Sequence, residues 1–211
     1  MNIKKIRDQI LQEAKPIVVK NGWNDDLFFK ISKSSKYKYS EIQALFPEGY
    51  IKLLEIYLED INQSMSQKSK EINLIRLRVH ERVQELLILR LKIIAKEKEL
   101  FKKTFLYLAL PHNFKISTRI LYRAVDEIWF LSGDTSTDFN FYSKRAILAT
   151  IYTSTIIHFV NNKNINETNL ILKKLLKRVS LIPKIKNEFS NTLSVIPNIL
   201  KISKNFLNFR Q

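Results

Sequence analysis

The chain has 211 residues, 45% of them apolar and 27% charged, enough to bury a substantial core and too apolar for a disordered chain. Three glycines and five prolines exclude a many-turned β sandwich or barrel and any glycine-rich phosphate loop; zero cysteines exclude disulfides, thiolate metal sites and thiol nucleophiles. The net charge of +16 points to an anionic partner, a nucleic acid or a membrane surface, with a biased Lys-, Ile- and Asn-rich composition as the competing source.

Apolar spacing predicts helices throughout and no strand. Ile3 to about Lys20 forms the first helix, bent at Pro16 and stopped by Asn21-Gly22. Asn24 is expected to cap a short helix with Asp25 and Asp26 in its first turn, and Ser40 to cap another running to Phe46. Longer helices follow over about 48–65 and 71–98. In the second, Ile72, Ile75, Val79, Val83, Leu86, Leu87 and Ile94 keep helical spacing. Phe101–Leu110 ends at Pro111, Phe114–Ser132 ends at Gly133, and Phe139–Val160 is the most apolar element. A basic helix reaches Arg178, and Pro183 opens a last segment to Phe209. The fold class is therefore all-α, a bundle of about ten helices with a C-terminal amphipathic helix. It divides into an N-terminal three-helix region (1–47), a helical body (48–180) and the tail helix (183–211).

The charge is unevenly placed. Residues 163–211 hold ten basic and two acidic residues, which is half of the excess in less than a third of the length. In that tail Ile185, Phe189, Leu193, Ile196, Ile199, Leu200, Phe206 and Leu207 fall at near-helical steps, interspersed with Lys184, Lys186, Lys201, Lys204 and Arg210. Such a stripe either packs on its own core or lies in a membrane interface; the local charge and the interior Pro197 favour the interface. Ala146–Asn162 is free of charge, but at 17 residues and with several hydroxyls it is short and polar for a membrane span. Met1–Ile10 has no signal-like apolar segment.

Few residues suggest chemistry. His80, His112 and His158 are far apart, and His80-Glu81 lacks the second histidine of a zinc-protease helix because position 84 is Gln. In the run Gly133–Arg145, Gly133 suits a left-handed helix stop, and Asp134 to Asp138 offer oxygens to the N–H groups of the next helix. Asp134 and Asp138 could also act as an acid–base pair or hold a cation, although no third ligand is adjacent. Phe139, Phe141 and Tyr142 cannot all face one core, and an exposed aromatic pair beside Lys144 and Arg145 suits a protein interface. Helices around 116–131 and 146–160 are apolar on more than one face. They are either core or the walls of a ligand cavity with Tyr152, Thr155 and His158 as polar points.

Gly22-Trp23-Asn24, Leu45-Phe46-Pro47-Glu48-Gly49, Arg78 through Arg90, Ala109-Leu110-Pro111, Val125-Asp126-Glu127-Ile128-Trp129 and above all the Gly133–Arg145 run resemble the coenzyme Q protein nine family of ubiquinone biosynthesis. The resemblance spans residues 22–160 and implies a TetR-like, usually homodimeric, non-catalytic protein without cofactor or metal. It implies a pocket for isoprenoid quinone precursors or phospholipid, expected at Leu87, Leu91, Ile94, Val125, Trp129, Ile151, Tyr152 and Thr155. It implies a membrane-binding tail helix, and a partner, the demethoxyubiquinone hydroxylase, met by residues matching Asp138, Phe141 and Tyr142, with Arg145 beside them. Phe141 stands where that family usually has Trp, so one hydrogen-bond donor is missing. The lack of an Arg-rich leader suggests a bacterial member, cytoplasmic and peripheral on the inner membrane. The alternative is a TetR-type DNA-binding regulator. Against it, the recognition segment Ser40–Phe46 has no Lys or Arg and carries Glu41, although Lys33, Lys36 and Lys38 precede it.

Overall fold

The computed structural model describes residues 3–162 and 164–180. Among them are nine α-helices and no strand: α1 (Ile3–Asn21), α2 (Leu27–Ser34), α3 (Tyr39–Leu45), α4 (Tyr50–Ser69), α5 (Val79–Ala95), α6 (Lys98–Leu108), α7 (Phe114–Leu131), α8 (Asp138–Asn161) and α9 (Ile165–Ser180). The tail expected over 183–211, with Ile185, Phe189, Leu193, Ile196, Leu200, Lys201, Lys204, Phe206 and Leu207, lies outside the described residues. None of the described helices is long and apolar enough to cross a membrane.

One continuous core runs from Ile10 and Leu11 of α1, through Phe46, Leu54 and Leu86, to Ile128, Phe159 and Leu172. In the body α4 packs on α5, α7 on α8, and α9 on both α5 and α8. The N-terminal trio is joined to the body through α6. Trp23 is buried and its indole N–H donates to Thr104 at 3.0 Å, while Lys15 pairs with Glu97 at 2.7 Å. A tryptophan can enter a core only where its N–H finds an acceptor, and Thr104 supplies it.

Several helix ends differ from the sequence reading. Pro16 lies inside α1, which continues to Asn21; Gln12, whose carbonyl loses its bond to residue 16, is exposed to water. α2 begins at Leu27, and the Asn24 side chain donates back to the Asn21 carbonyl instead of capping it. α3 begins at Tyr39, so Ser40 falls inside the first turn. The cap contact is made by Glu41, whose carboxylate accepts the Lys38 N–H at 2.8 Å.

The largest difference is at α5, which begins at Val79, not Glu71. Before it, Leu74–Arg76 form a single 3-10 turn and Ile75 is 88% exposed. The Arg82 guanidinium holds this turn in place. It donates to the carbonyls of Leu77 (2.9 Å) and Ile75 (3.3 Å), and also to Ser132 (3.1 Å) at the end of α7. A continuous helix would have engaged the first two carbonyls itself.

α7 closes as its sequence suggests. Gly133 has φ 77°, its N–H meets the Phe130 carbonyl at 3.0 Å, and the Asp134 N–H meets Trp129 at 3.1 Å, the paired bonds of a left-handed helix stop. A Cβ on Gly133 would also crowd the Arg82 guanidinium at 3.1 Å, a second reason for glycine beside its left-handed backbone.

Candidate functional site

A cavity of about 330 Å³ opens between α4, α5, α6, α7 and α8. Its walls are Leu58 of α4, Phe101, Phe105 and Leu108 of α6, Ile120, Leu121 and Ala124 of α7, and Ile156 and Ile157 of α8. It exists because Thr104 and Ala124, both buried, are short where α6 and α7 approach. Ala109 and Ile157 are exposed and mark where it meets the surface.

Most polar groups on this cavity are already engaged. The Thr104 hydroxyl donates to the Leu100 carbonyl at 2.9 Å and accepts from Trp23. Ser117 donates to the Asn113 carbonyl at 2.8 Å and also contacts Leu108 O. The charged side chain on its wall is Arg90 of α5, 2% exposed, which donates through Nε to the Tyr152 hydroxyl (2.8 Å) and through Nη1 to Asn62 (2.6 Å). A volume at the lower end of the range for small-molecule sites, with apolar walls and few polar points, suits an apolar molecule or part of one. Among the described residues no group of three His, Asp or Glu is placed to hold a metal ion.

Of the residues expected to line a pocket, only Tyr152 faces this cavity. Leu87 and Leu91 are buried in the core, and Ile94 borders a separate polar cleft with Lys15, Asp60 and Glu97. Trp129 and Ile151 face a second cavity of about 340 Å³ with His80, Leu176, Lys173 and Lys177 around it. Val125 borders a third, of about 190 Å³, beside Tyr142 and Arg145. The Thr155 hydroxyl donates to Ile151 O at 2.7 Å within its own helix, and His158 meets Thr168 at 3.0 Å, tying α8 to α9. The two apolar helices do form walls, as α7 and α8. The α6 wall and Arg90 were missed. Arg90 shares the buried row of Leu87, Leu91 and Ile94 by spacing, and a cation in a buried row was the signal available.

At the start of α8 the aromatics divide. Phe139 is 72% exposed and Tyr142 66%, while Phe141 is partly buried and meets Tyr142 edge-on at 5.2 Å. Arg145 is buried rather than presented outward. Its guanidinium stacks on the Phe141 ring at 3.3 Å and bonds Asp126 (2.7 Å), Asp134 (3.4 Å) and the Phe141 carbonyl (3.2 Å). It therefore positions the aromatic pair.

Asp134 does not cap α8. It takes Lys144 at 2.8 Å and Ser136 at 2.6 Å as well as Arg145. Burial alone would push its carboxyl up, but the hydrogen bonds from Lys144 and Ser136 and the Lys144 charge hold it below the usual carboxylate range. The Asp138 side chain lies outside what the structure describes, although its backbone begins α8. On α3, Tyr39, Ser40, Glu41, Gln43 and Ala44 are exposed, a face without a cation for phosphate.

Comparison with known proteins supports the sequence resemblance. Residues 114–182, covering the Gly133–Arg145 run, match the COQ9 family. "Ubiquinone biosynthesis protein COQ9, mitochondrial" from Bos taurus is 27% identical over 159 residues, 72% of this chain and 50% of the relative. The Homo sapiens protein of that name gives the same figures. "Probable ubiquinone biosynthesis protein coq9, mitochondrial" from Dictyostelium discoideum is 25% identical over 214 residues, 95% of this chain and 68% of the relative. The chain spans about half the length of the mammalian relatives it matches. The crystal structure of the TetR transcriptional regulator from Nitrosomonas europaea superposes with a TM-score of 0.68 over 83% of this chain and 98% of that one, at 16% identity, which establishes a shared fold. Both the matched segment and the similar chains point the same way: residues 114–182 match the COQ9 family, and the chain has a TetR-like all-α fold.

Proposed function

We propose that the chain is a non-catalytic, lipid-binding accessory protein of ubiquinone biosynthesis. In this reading it takes isoprenoid quinone precursors at the membrane and presents them to the demethoxyubiquinone hydroxylase. The observation that carries it is the apolar cavity between α6, α7 and α8, in a chain whose relatives are named for that pathway. Moving an apolar tail through water costs about 0.8 kcal/mol per CH₂, so an apolar shelter lowers the barrier to extraction from a bilayer. The cavity is too small for a long prenyl chain; it suits a head ring and the first part of a tail, the rest staying with the membrane. Tyr142, held through Phe141 by the Arg145 cluster, and the exposed Phe139 offer the hydroxylase an aromatic surface.

The expected result is that the chain, purified from cells that make ubiquinone, carries an isoprenoid quinone or precursor detectable by mass spectrometry of its organic extract. Ala124→Trp, which fills the cavity, should lose it. Extracts free of isoprenoid lipid over repeated preparations would refute the reading. The tail supplies a separate prediction: removing residues 183–211 should reduce co-flotation with anionic liposomes several-fold. Undiminished flotation would place membrane contact elsewhere on the chain.

A further inference from the structure

Arg90 is the least expected group in the interior. A buried guanidinium is ordinarily paired with a carboxylate, because an uncompensated charge away from water is unfavourable. Among the described residues no carboxylate comes within 4.0 Å of it. Its two hydrogen-bond partners are neutral: the Tyr152 hydroxyl and the Asn62 amide oxygen. Asn62 in turn donates to Glu59 at 3.4 Å, so a carboxylate is reached only through an intervening amide. Glu127 feels the Arg90 charge without an ion pair between them.

Arg90 and Tyr152 both line the largely apolar cavity. Nε and Nη1 are engaged, whereas Nη2 makes no hydrogen bond among the described residues. The Tyr152 oxygen accepts from Arg90, and its own proton is donated to none of them. One guanidinium N–H group and one phenol O–H therefore share the wall of a largely apolar chamber, both with donor capacity left. Of the other hydroxyls on the cavity, those of Thr104 and Ser117 are turned to backbone carbonyls.

We infer that this cavity selects amphiphiles with an anionic oxygen head, a carboxylate or a phenolate, which Arg90 and Tyr152 bind while the apolar body lies against Phe101, Ile120 and Ile156. The inference rests on the lipid-binding reading above and adds the head chemistry the site prefers. Such a head supplies the counter-charge that Arg90 lacks. A neutral head of equal length leaves the cation uncompensated and buries the same apolar surface.

The test uses the full chain and three probes of similar chain length in titration calorimetry: decanoate, decanol and a nonyl-nitrophenol at mildly alkaline pH, where the phenol is ionised. Decanoate, the nitrophenolate or both should bind about 10- to 100-fold more tightly than decanol, the range for a charge-assisted hydrogen bond. Whichever anion binds more tightly identifies the source, fatty acid or acidic phenol. Arg90→Gln should bring the anion-to-alcohol ratio to near one while leaving decanol affinity unchanged. Tyr152→Phe, which keeps the ring and the cation, should lower the ratio by less. Equal binding of anion and alcohol to the unmodified chain overturns the head-group inference and leaves the lipid-binding reading standing. Heat released by none of the three overturns both. The comparison on the unmodified chain decides the matter even if Arg90→Gln fails to fold.

Discussion

Replacing Arg145 by methionine is expected to lower the stability of the chain by about 3 kcal/mol. The residue is 6% exposed and its side chain ties together three segments: Asp126 on α7, Asp134 in the connection, and Phe141 on the first turn of α8. Methionine keeps the packing against the Phe141 ring and removes every hydrogen bond. The expected loss sits at the low end for breaking a buried ion pair because Lys144 still faces Asp134 and Asp126 is partly exposed. For a chain of this size, that corresponds to a fall in Tm of about 6–12 °C. The cluster also has an acid signature. The Asp134 carboxyl is held below its unfolded value, so its pairing stabilises the fold at neutral pH. That contribution is present above the usual carboxylate pKa of about 3.9 and fades as pH falls through the lower folded value. Asp134→Asn should therefore lose stability near neutrality and show a shallower decline at the acid end. A thermal melt of Arg145→Met within a degree of the parent would mean that the cluster does not hold the start of α8.

Phe46→Ala is expected to cost 3–5 kcal/mol, the range for emptying a fully buried aromatic site. Phe46 closes α3, is 1% exposed, meets the Phe28 ring at 5.7 Å and lies under the Arg7 guanidinium at 5.6 Å. It is thus the point where α1, α2 and α3 converge. The short α2 and α3 are held by packing, not by helix propensity, so a cavity there should loosen all three together. Urea denaturation followed by Trp23 fluorescence in a Trp129→Phe background reports on this region, because Trp23 spans the junction to α6. A midpoint shift worth less than about 1 kcal/mol would show that the site collapses around the smaller side chain.

How far the sequence can be read depends on which forces set each feature. The bounds of α7 and α8 follow from local chemistry: Pro111 before, Gly133 between, and an apolar row through each. The start of α5 is set by Arg82, whose guanidinium gathers carbonyls from Ile75, Leu77 and Ser132, and no periodicity within residues 71–98 encodes a contact with residue 132. The same distinction governs the site. That an aromatic pair is exposed could be read, because three neighbouring aromatics exceed what one helical face can bury, but not that Phe139 rather than Phe141 joins Tyr142 in it. Arg145 looked like a surface cation beside them, since its partners at Asp126 and Asp134 are brought in only by the turn of the chain. The pocket residues drawn from apolar rows fall largely in the core or on other cavities. A well-packed row and a cavity wall have one composition, and the difference lies in the short Thr104 and Ala124 opposite.

α8 carries two surfaces on one piece of backbone, the exposed aromatics at its start and Tyr152 on the cavity. It runs for 24 residues with neither glycine nor proline inside it, so it has no built-in bend. Tyr152 lies ten positions beyond Tyr142, an axial distance of about 15 Å. The helix thus acts as a ruler and a dial together. Each residue inserted or removed between those two tyrosines would move the aromatic tip by about 1.5 Å and turn it by about 100° relative to the cavity. Length in this stretch is therefore far more constrained than identity: a substitution at the exposed Thr150 leaves the setting untouched, whereas one deletion from Ala146 to Ile151 turns the start of α8, with Tyr142 and Arg145, away from Asp126 and Asp134 or turns Tyr152 away from Arg90.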